Sequence, residues 1–219
     1  MFPYRFIAIE GNIGAGKTTL CEMLSHNFNC HLILEQFSDN PFLPLFYKDP
    51  TRYAFSVELF FMTERHKQLQ TSLTQPDLFH TVRIADYFFI KTLIFAKNNL
   101  TDAEYHLFKR LFKILNSTFP KPDLLIYLHR PVKELVSNIQ KRGRAYEKDF
   151  NMEYLMQLEQ AYFNYFKSET ALPILILELE DLDFVQNPIF YQQMVSYISK
   201  PYSKGIHRIA FTSKVRDQQ

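Results

Sequence analysis

One short glycine-rich segment constrains this chain more than any other feature. Three of the five glycines lie in residues 11–18, GNIGAGKT, directly after the apolar run at residues 6–9. This spacing is typical of a phosphate-binding loop, in which backbone N–H groups turn toward a polyphosphate, Lys17 reaches its outer oxygens and the Thr18 hydroxyl can hold Mg²⁺. The following residues have helical spacing, and the amino end of a helix also favours an anion. The predicted nucleotide-binding residues are Gly11, Asn12, Ile13, Gly14, Ala15, Gly16, Lys17, Thr18 and Thr19.

The composition fits a globular chain and argues against several classes of protein. Of the 219 residues, 47% are hydrophobic and the formal net charge is +2, so the chain can bury a core and has no basic excess that would attract nucleic acid. No apolar run reaches transmembrane length, and the amino end lacks a signal-peptide pattern. Cys21 and Cys30 have the spacing of neither a disulfide framework nor a metal site. We therefore expect a cytoplasmic protein with no membrane or nucleic-acid partner.

Apolar, β-rich runs alternate with long stretches of helical spacing. This alternation predicts an α/β fold in which a five-stranded parallel sheet carries helices on both faces. No internal repeat or domain boundary is evident, so we expect one domain over residues 1–219, with a polar tail at about 203–219. The predicted strands are residues 4–9, 31–34, 81–85, 123–128 and 173–177, and the predicted helices after the first are residues 50–70, 87–97, 101–116, 132–142 and 152–167.

Two further sites carry chemistry that a kinase needs. Glu35 follows the second apolar run, so it should project from a strand end into the crevice where α/β sheets bind ligands. A carboxylate there can accept or orient the proton of an acceptor hydroxyl. Arg142 and Arg144 flank Gly143, and arginines suit phosphoryl transfer because each guanidinium binds two oxygens and stays charged. The segment at about 141–149 is therefore predicted to be a short mobile lid, although basic residues also simply stabilise a helix end.

Taken together, these motifs resemble the deoxyribonucleoside kinases, a family that includes the deoxycytidine, deoxyguanosine and deoxyadenosine kinases. The resemblance covers about residues 4–195. It implies a P-loop kinase fold, ATP as phosphoryl donor, Mg²⁺, a deoxyribonucleoside substrate and a homodimer packed through helices, for which the apolar helix at residues 55–62 could supply the surface. The resemblance rests on the phosphate-binding loop, Glu35, Tyr47, Arg65, residues 94–96, residues 142–144, Glu147, Tyr154 and Leu155.

The resemblance implies a role for each matching residue. Glu35 would be the general base for the 5′-hydroxyl. Tyr47 and Glu147 would hydrogen-bond the sugar 3′-hydroxyl, because a phenol and a carboxylate together supply a donor and an acceptor. The catalytic cations around the ATP phosphates would be Lys17, Arg142 and Arg144.

The chain departs from the family after its third strand. Relatives usually have an acidic residue, an arginine and a serine there, the acid serving the metal and the arginine serving the 5′-oxygen and the phosphoryl group. This chain has Ala85, Asp86 and Tyr87, so the arginine is missing and the reaction could be weakened. Counting back from residues 94–96 places Asp86 opposite the arginine and Ala85 opposite the acid, whereas a shift of one residue would make Asp86 the metal-side carboxylate. The predicted metal-binding residues are Thr18 and Asp86. Arg83 is a substitute cation only if it faces the site.

Glu58 is a second departure, because relatives usually have a glutamine there that pairs with the base edge. An ionised glutamate can only accept hydrogen bonds, which favours a base that presents donors, such as guanine, unless the base is held differently. Lys91 stands where many relatives have an aspartate that pairs with the residue matched by Arg65. We expect Glu58 and Arg65 to bind the substrate, with a slight preference for a purine. A salt bridge from Glu58 to Lys91 or Arg65 is an equally good alternative to base contact.

The leading hypothesis is a cytoplasmic salvage enzyme that transfers the γ-phosphoryl group of ATP to the 5′-hydroxyl of a deoxyribonucleoside. A non-catalytic, nucleotide-binding relative is supported by the missing arginine and opposed by the intact Lys17 and Glu35. A nucleoside monophosphate kinase resembling thymidylate kinase would need an added cationic site for the acceptor phosphate. A GTP-operated switch is disfavoured, because the chain has neither an Asn-Lys-x-Asp nor an Asp-x-x-Gly motif.

Overall fold

A parallel sheet forms the centre of the computed structural model, which describes residues 2–36, 40–74, 79–144 and 151–211. The sheet has six strands in the order β2-β3-β1-β4-β5-β6, and every neighbouring pair is parallel. The α/β fold with a parallel sheet is therefore confirmed. The strands are β1 (Phe6–Gly11), β2 (His31–Ile33), β3 (Arg83–Ala85), β4 (Leu124–His129), β5 (Pro173–Leu179) and β6 (Gly205–Phe211).

Helices connect the strands, as parallel pairing requires. None of those within the described ranges is both long enough and apolar enough to cross a membrane. The predicted helices at residues 132–142 and 152–167 are confirmed to within a residue. The helices are α1 (Lys17–Phe28), α2 (Leu43–Lys48), α3 (Pro50–Thr74), α4 (Lys91–Asn99), α5 (Asp102–Asn116), α6 (Val132–Arg142), α7 (Met152–Ser168) and α8 (Pro188–Ile198).

Each face of the sheet is covered by its own hydrophobic core, because side chains alternate between the faces along a strand. On one face, Ile126 of β4 belongs to the same buried cluster as Leu20 of α1 and Met194 of α8. On the other face, Tyr127 packs against Tyr162 of α7, with the ring centroids 5.0 Å apart. Full burial of each such side chain contributes about 1.5–3 kcal/mol to folding. Helices thus lie on both faces, as predicted.

The sheet has one strand more than the five predicted, and the extra strand lies in the segment interpreted as a polar tail. β6 pairs along its length with β5, for example His207 with Leu175 and Ile209 with Leu177. Its side chains alternate between half-buried and exposed up to Phe211. An edge strand pairs with only one neighbouring strand and tolerates polar residues such as His207 and Arg208. These polar residues concealed the alternation of apolar and polar positions that is typical of a strand.

The predicted helix at residues 87–97 begins later than expected, at Lys91. Tyr87 and Phe89 are fully buried in the irregular segment before it. The backbone N–H of Phe88 donates to the buried carboxylate of Glu10, 2.7 Å away, rather than to a helical carbonyl. Local spacing therefore predicted a helix where a long-range hydrogen bond holds the chain in another conformation.

The strand register brings the chemistry-bearing residues to one edge of the sheet. Ala8, Ile33 and Ala85 lie side by side in β1, β2 and β3. The residues that follow, including Glu35 and Asp86, therefore leave the sheet at its carboxyl edge, beside the end of β1 where the phosphate-binding loop begins. This is the edge at which open α/β sheets bind ligands.

Candidate active site

The loop between β1 and α1 has a backbone that requires glycine at two positions. Gly14 and Gly16 have φ angles of 82° and 92°, in the left-handed region that other residues rarely adopt. A Cβ on Gly14 would also lie 2.8 Å from the carbonyl oxygen of Leu135. Asn12 fixes the loop from within, since its Nδ2 donates to the Leu155 carbonyl at 2.7 Å and its Oδ1 accepts from the Ile13 N–H at 2.8 Å. The loop is thus built in a shape suited to phosphate.

Lys17 lies partly buried against this loop. Its Nζ donates to the carbonyl oxygens of Gly11 and Asn12, each at 2.9 Å. Burial lowers the pKa of Lys17 to about 8, and the nearby ammonium of Lys91 lowers it further, against the opposing effect of carboxylates such as Glu35. A partly buried ammonium near a second ammonium is stabilised by an anion, which is what a phosphate group supplies.

Thr18 and Asp86 form the metal side of the site. The Thr18 hydroxyl donates to Asp86 Oδ2 at 2.6 Å, and Asp86 Oδ1 accepts from the Glu35 N–H at 2.7 Å. This contact supports the one-residue shift, with Asp86 as the acid, and it leaves Tyr87 where relatives have arginine. The Tyr87 ring is fully buried and its hydroxyl donates to Gln68 Oε1 at 2.7 Å.

The donor set fits Mg²⁺, which prefers hard oxygen ligands and keeps several of its waters or phosphate oxygens. Among the described residues, no group of three His, Cys, Asp or Glu side chains could hold a metal. Thr18 and Asp86 would therefore share the ion with the nucleotide phosphates rather than enclose it.

Glu35 is held by two cations. Arg65 contacts Glu35 Oε1 through Nε and Nη2, at 2.7 and 2.6 Å, while Lys91 Nζ donates to Oε2. Burial acts to raise the pKa of Glu35, but the charges and hydrogen bonds of Lys91 and Arg65 outweigh it and hold that pKa well below its usual range. Glu35 is therefore an ionised carboxylate, and 12% of its side chain is exposed.

Glu58 carries a carboxylate oxygen that has no partner. Its Oε1 accepts from Asn99 Nδ2 at 2.6 Å, whereas Oε2 is buried and has no hydrogen-bond partner among the residues that the structure describes. Burial raises the pKa of Glu58 to about 7, although the charge of Arg65 opposes the shift. The salt bridge weighed as an alternative for Glu58 is not formed, because Arg65 and Lys91 both bind Glu35 instead.

Two cavities meet at Glu35. A cleft of about 770 Å³ runs over the phosphate-binding loop, and a smaller cavity of about 130 Å³ extends between α2, α3, α4 and α7. Glu35, Lys17 and Asp86 line both cavities and so mark their junction. The other predicted site residues that line the smaller cavity are Ile13, Gly14, Thr18, Tyr47, Glu58, Arg65, Arg142 and Arg144.

Arg142 and Arg144 line both cavities, so the structure brings the predicted lid cations to the junction. The lid was predicted over residues 141–149, and its part from residue 145 onward, including Glu147, lies outside the described residues. Arg83 begins β3 at the amino end of the strand, opposite the edge that carries Asp86. Arg83 is therefore not positioned to replace the missing arginine.

The helical surface suggested for a homodimer is largely interior. Val57 and Met62 are buried, and the ring of Phe55 packs against that of Phe108, with centroids 6.4 Å apart. Several apolar side chains of this stretch therefore pack against the chain's own core, and a dimer surface on α3 stays a prediction. Exposed apolar residues instead follow one another at helical spacing on α5, at Leu107, Leu111 and Ile114.

Sequence reasoning missed Arg130, which supports the phosphate-binding loop from the end of β4. Arg130 is buried, its Nε donates to the Ala15 carbonyl at 3.3 Å, and its Nη1 donates to Glu134 Oε2 at 2.9 Å. Its guanidinium lies 5.8 Å from the ring of Phe184, and both residues line the larger cleft. An arginine directly after a buried strand that ends at the ligand-binding edge was the available signal.

Comparison with known proteins gives one consistent result. A family model described as deoxynucleoside kinase matches residues 7–201. The deoxyguanosine kinase of Bacillus subtilis (strain 168) is 35% identical over 199 residues, covering 89% of this chain and 96% of that protein. The deoxyadenosine/deoxycytidine kinase of the same organism is 30% identical, covering 88% and 91%. A solved structure of deoxyadenosine kinase from M. mycoides with bound dATP has a TM-score of 0.73 and 25% identity, covering 87% of this chain and 99% of that one.

Proposed function

The chain belongs to the deoxynucleoside kinase family and is a phosphotransferase, and on this basis we propose that it transfers the γ-phosphoryl group of ATP to the 5′-hydroxyl of a purine deoxyribonucleoside. The resemblance noted from the sequence is confirmed at the level of the family. One observation carries the proposal: Glu35, an ionised carboxylate, lies where the phosphate cleft meets a second cavity beside Lys17. A donor phosphate and an acceptor hydroxyl would meet at this junction.

In the proposed reaction, Glu35 orients the 5′-hydroxyl and receives its proton. The 5′-oxygen forms a bond to the γ-phosphorus while the bond from that phosphorus to the bridging oxygen breaks, and ADP leaves with the electron pair. The low pKa of Glu35 keeps it ionised at neutral pH, so the proton moves late, after the 5′-oxygen has given electron density to phosphorus. Lys17, Arg142 and Arg144 neutralise charge on the phosphates, and Mg²⁺ at Thr18 and Asp86 would add to this when bound.

The purine preference is supported by Glu58. Glu58 lines the smaller cavity, Asn99 donates to its Oε1, and its buried Oε2 has no partner within the described ranges. Such an oxygen gains most from a ligand that brings an N–H, because a buried acceptor without a partner costs about 1–3 kcal/mol. Guanine offers its N1–H and its 2-amino group side by side, so deoxyguanosine is the best match. Tyr47 and Glu147 would bind the sugar 3′-hydroxyl.

A cytoplasmic homodimer completes the proposal. Cys21 and Cys30 are both free thiols, as is usual in a reducing compartment. The exposed apolar residues Leu107, Leu111 and Ile114 of α5 offer a surface that a second copy could cover. Sedimentation equilibrium would give the mass, and a monomer at micromolar concentration would contradict the dimer.

The function is tested by turnover of deoxyguanosine with ATP and Mg²⁺, with the product checked for phosphate on the 5′-oxygen. Glu35→Gln keeps the shape of the side chain and removes the general base. Lys17→Ala removes the cation of the phosphate-binding loop. Each should lower kcat by about 10²–10⁴-fold. ATP binding without turnover of any deoxyribonucleoside would favour the non-catalytic relative, and turnover of a deoxyribonucleoside monophosphate instead would favour the monophosphate kinase.

A further inference from the structure

Lys91 lies in an unusual place for a lysine. It is the first residue of α4, it is 6% exposed, and its Nζ donates to Glu35 Oε2. Its stem runs near the ring of Phe95, with Nζ 5.5 Å from the ring centroid. A buried ammonium is costly unless it is paired, and Lys91 is paired with Glu35, the proposed general base. Lys91 also lines the smaller cavity beside the phosphate-binding loop.

The segment before Lys91 holds it firmly. The backbone N–H of Lys91 donates to the Phe88 carbonyl at 2.9 Å, and the Phe88 N–H in turn donates to Glu10 Oε1. Glu10 is fully buried and also accepts from the Tyr162 hydroxyl at 2.8 Å. A functional side chain gains from such support, because its position is set before the ligand arrives.

Lys91 and Lys17 both line the smaller cavity, and Lys17 and Glu35 also line the larger cleft that meets it. Lys17 follows the phosphate-binding loop, whereas Lys91 comes from α4 and its Nζ contacts Glu35 Oε2. Two ammonium groups that line one cavity repel each other. An anionic group between them relieves this repulsion. The group that arrives there during phosphoryl transfer is the γ-phosphoryl group itself.

We infer that Lys91 is a catalytic residue whose ammonium contacts the 5′-oxygen and the γ-phosphoryl group during transfer. The inference rests on the proposed function and deepens it. As the bond from the 5′-oxygen to phosphorus forms and the bridging bond breaks, negative charge lies on the phosphoryl oxygens and on the two in-line oxygens. Lys91 keeps its protons and donates hydrogen bonds to that charge, while Glu35 takes the hydroxyl proton. Tyr87 is a buried phenol at the expected arginine position, so Lys91 supplies the cation that this position lacks.

The test compares Lys91→Ala, Lys91→Met and Lys91→Arg with Lys97→Ala. Lys97 lies on the same helix, is 57% exposed and pairs with Asp102 at 3.4 Å, so it is the matched control. We expect Lys91→Ala to lower kcat by about 10²–10³-fold with little change in the KM for deoxyguanosine, because a contact made in the transition state is lost. Added methylammonium should restore kcat of Lys91→Ala saturably, and Lys91→Arg should keep part of the activity.

A lysine that only positions Glu35 would behave differently. Its loss would raise the pKa of Glu35 and shift the acid limb of the pH–rate profile, and methylammonium would not restore kcat. That result overturns the inference, as does a Lys91→Ala variant with kcat near that of the wild type. Melting temperature and ATP binding show whether each variant folds, and Lys91→Met, which keeps the apolar stem against Phe95, replaces Lys91→Ala if the latter does not. Wild-type protein without turnover would overturn both this inference and the proposed function.

Discussion

The two halves of the candidate site are built in different ways. The phosphate half is a single segment, residues 11–18, whose binding groups are largely backbone N–H groups and one lysine. The nucleoside half draws single side chains from separate helices, such as Tyr47 from α2, Glu58 from α3 and Asn99 from α4. The phosphate half therefore depends on backbone shape, while the nucleoside half depends on which side-chain donors and acceptors line the cavity. In the proposed function, the first half would bind the nucleoside triphosphate and the second would set the choice of acceptor.

The largest effect should come from disturbing the loop backbone. Gly14→Ala places a Cβ 2.8 Å from the Leu135 carbonyl oxygen at a φ of 82°, and a residue held in such a conformation costs about 1–3 kcal/mol. We expect ATP affinity, measured by titration calorimetry, to fall by about 10–100-fold at that cost, with deoxyguanosine affinity unchanged.

Gly205→Ala is the control, because Gly205 also has a positive φ, of 110°, but a Cβ there meets nothing within 4 Å and lies at the start of β6. This control should leave ATP affinity unchanged. Equal losses of ATP and deoxyguanosine affinity in Gly14→Ala would show that the two halves are not independent.

A smaller effect, on selectivity rather than on turnover, is expected for Glu58→Gln. The amide offers one donor and one acceptor where the carboxylate offers only acceptors. The ratio of kcat/KM for deoxyguanosine to that for deoxyadenosine should fall by about 3–10-fold, because one hydrogen bond has a net value of about 0.5–1.5 kcal/mol. Glu64→Gln, on the same helix but outside the lining of both cavities, is the matched control. An unchanged ratio would mean that Glu58 does not read the base.

The ratio of kcat/KM for deoxyguanosine to that for deoxyadenosine should also depend on pH. Burial raises the pKa of Glu58 to about 7, so the carboxylate ionises within the working range of most kinases. Preference for deoxyguanosine over deoxyadenosine should rise as pH increases from 6 to 8, because the ionised form accepts from both guanine donors and the protonated form does not. Steady-state kinetics with both nucleosides check this, and the trend should vanish in Glu58→Gln. A pH-independent ratio in the wild type would contradict the assignment.

The smallest effect concerns stability. The pKa of Glu58 is raised in the folded protein, from 4.5 to about 7, so the folded state binds a proton that the unfolded chain has already released between these pH values. Stability therefore falls as pH rises through this window. We expect Glu58→Gln to melt at a higher temperature than the wild type at pH 8, with a smaller difference at pH 5. A difference that is larger at pH 5 would contradict the burial of an unpartnered carboxylate.

Much of the phosphate half could be predicted because its physics is local. Gly14, Gly16, Lys17 and Thr18 are contiguous, and the backbone shape that they encode does not depend on distant residues. Helices with clear spacing, such as α6, were predicted for the same reason. Local sequence patterns gave wrong predictions where long-range contacts determine the backbone conformation. The N–H of Phe88 donates to Glu10, which is distant in sequence, and β6 is stabilised by pairing with β5.

Some residues of the nucleoside half could be identified from the sequence, but the contacts between them could not be predicted. Sequence showed that Glu58 and Lys91 are unusual, and it left a salt bridge between them open. Which partner each charge takes depends on α3 and α4 meeting at Glu35, a contact that no single stretch of sequence encodes. The pairing of Glu58 with Asn99, which leaves its second oxygen for a ligand, could be seen only in the folded chain.

The central claim is that Glu58 selects the nucleoside acceptor, while the phosphate-binding loop binds ATP, the phosphoryl donor. The most direct test is a competition in which the four deoxyribonucleosides, at equal concentration, share a limiting amount of ATP with Mg²⁺. We expect the 5′-monophosphate of deoxyguanosine to form first, followed by that of deoxyadenosine. Formation of pyrimidine nucleotides at an equal or faster rate would contradict this account of the site.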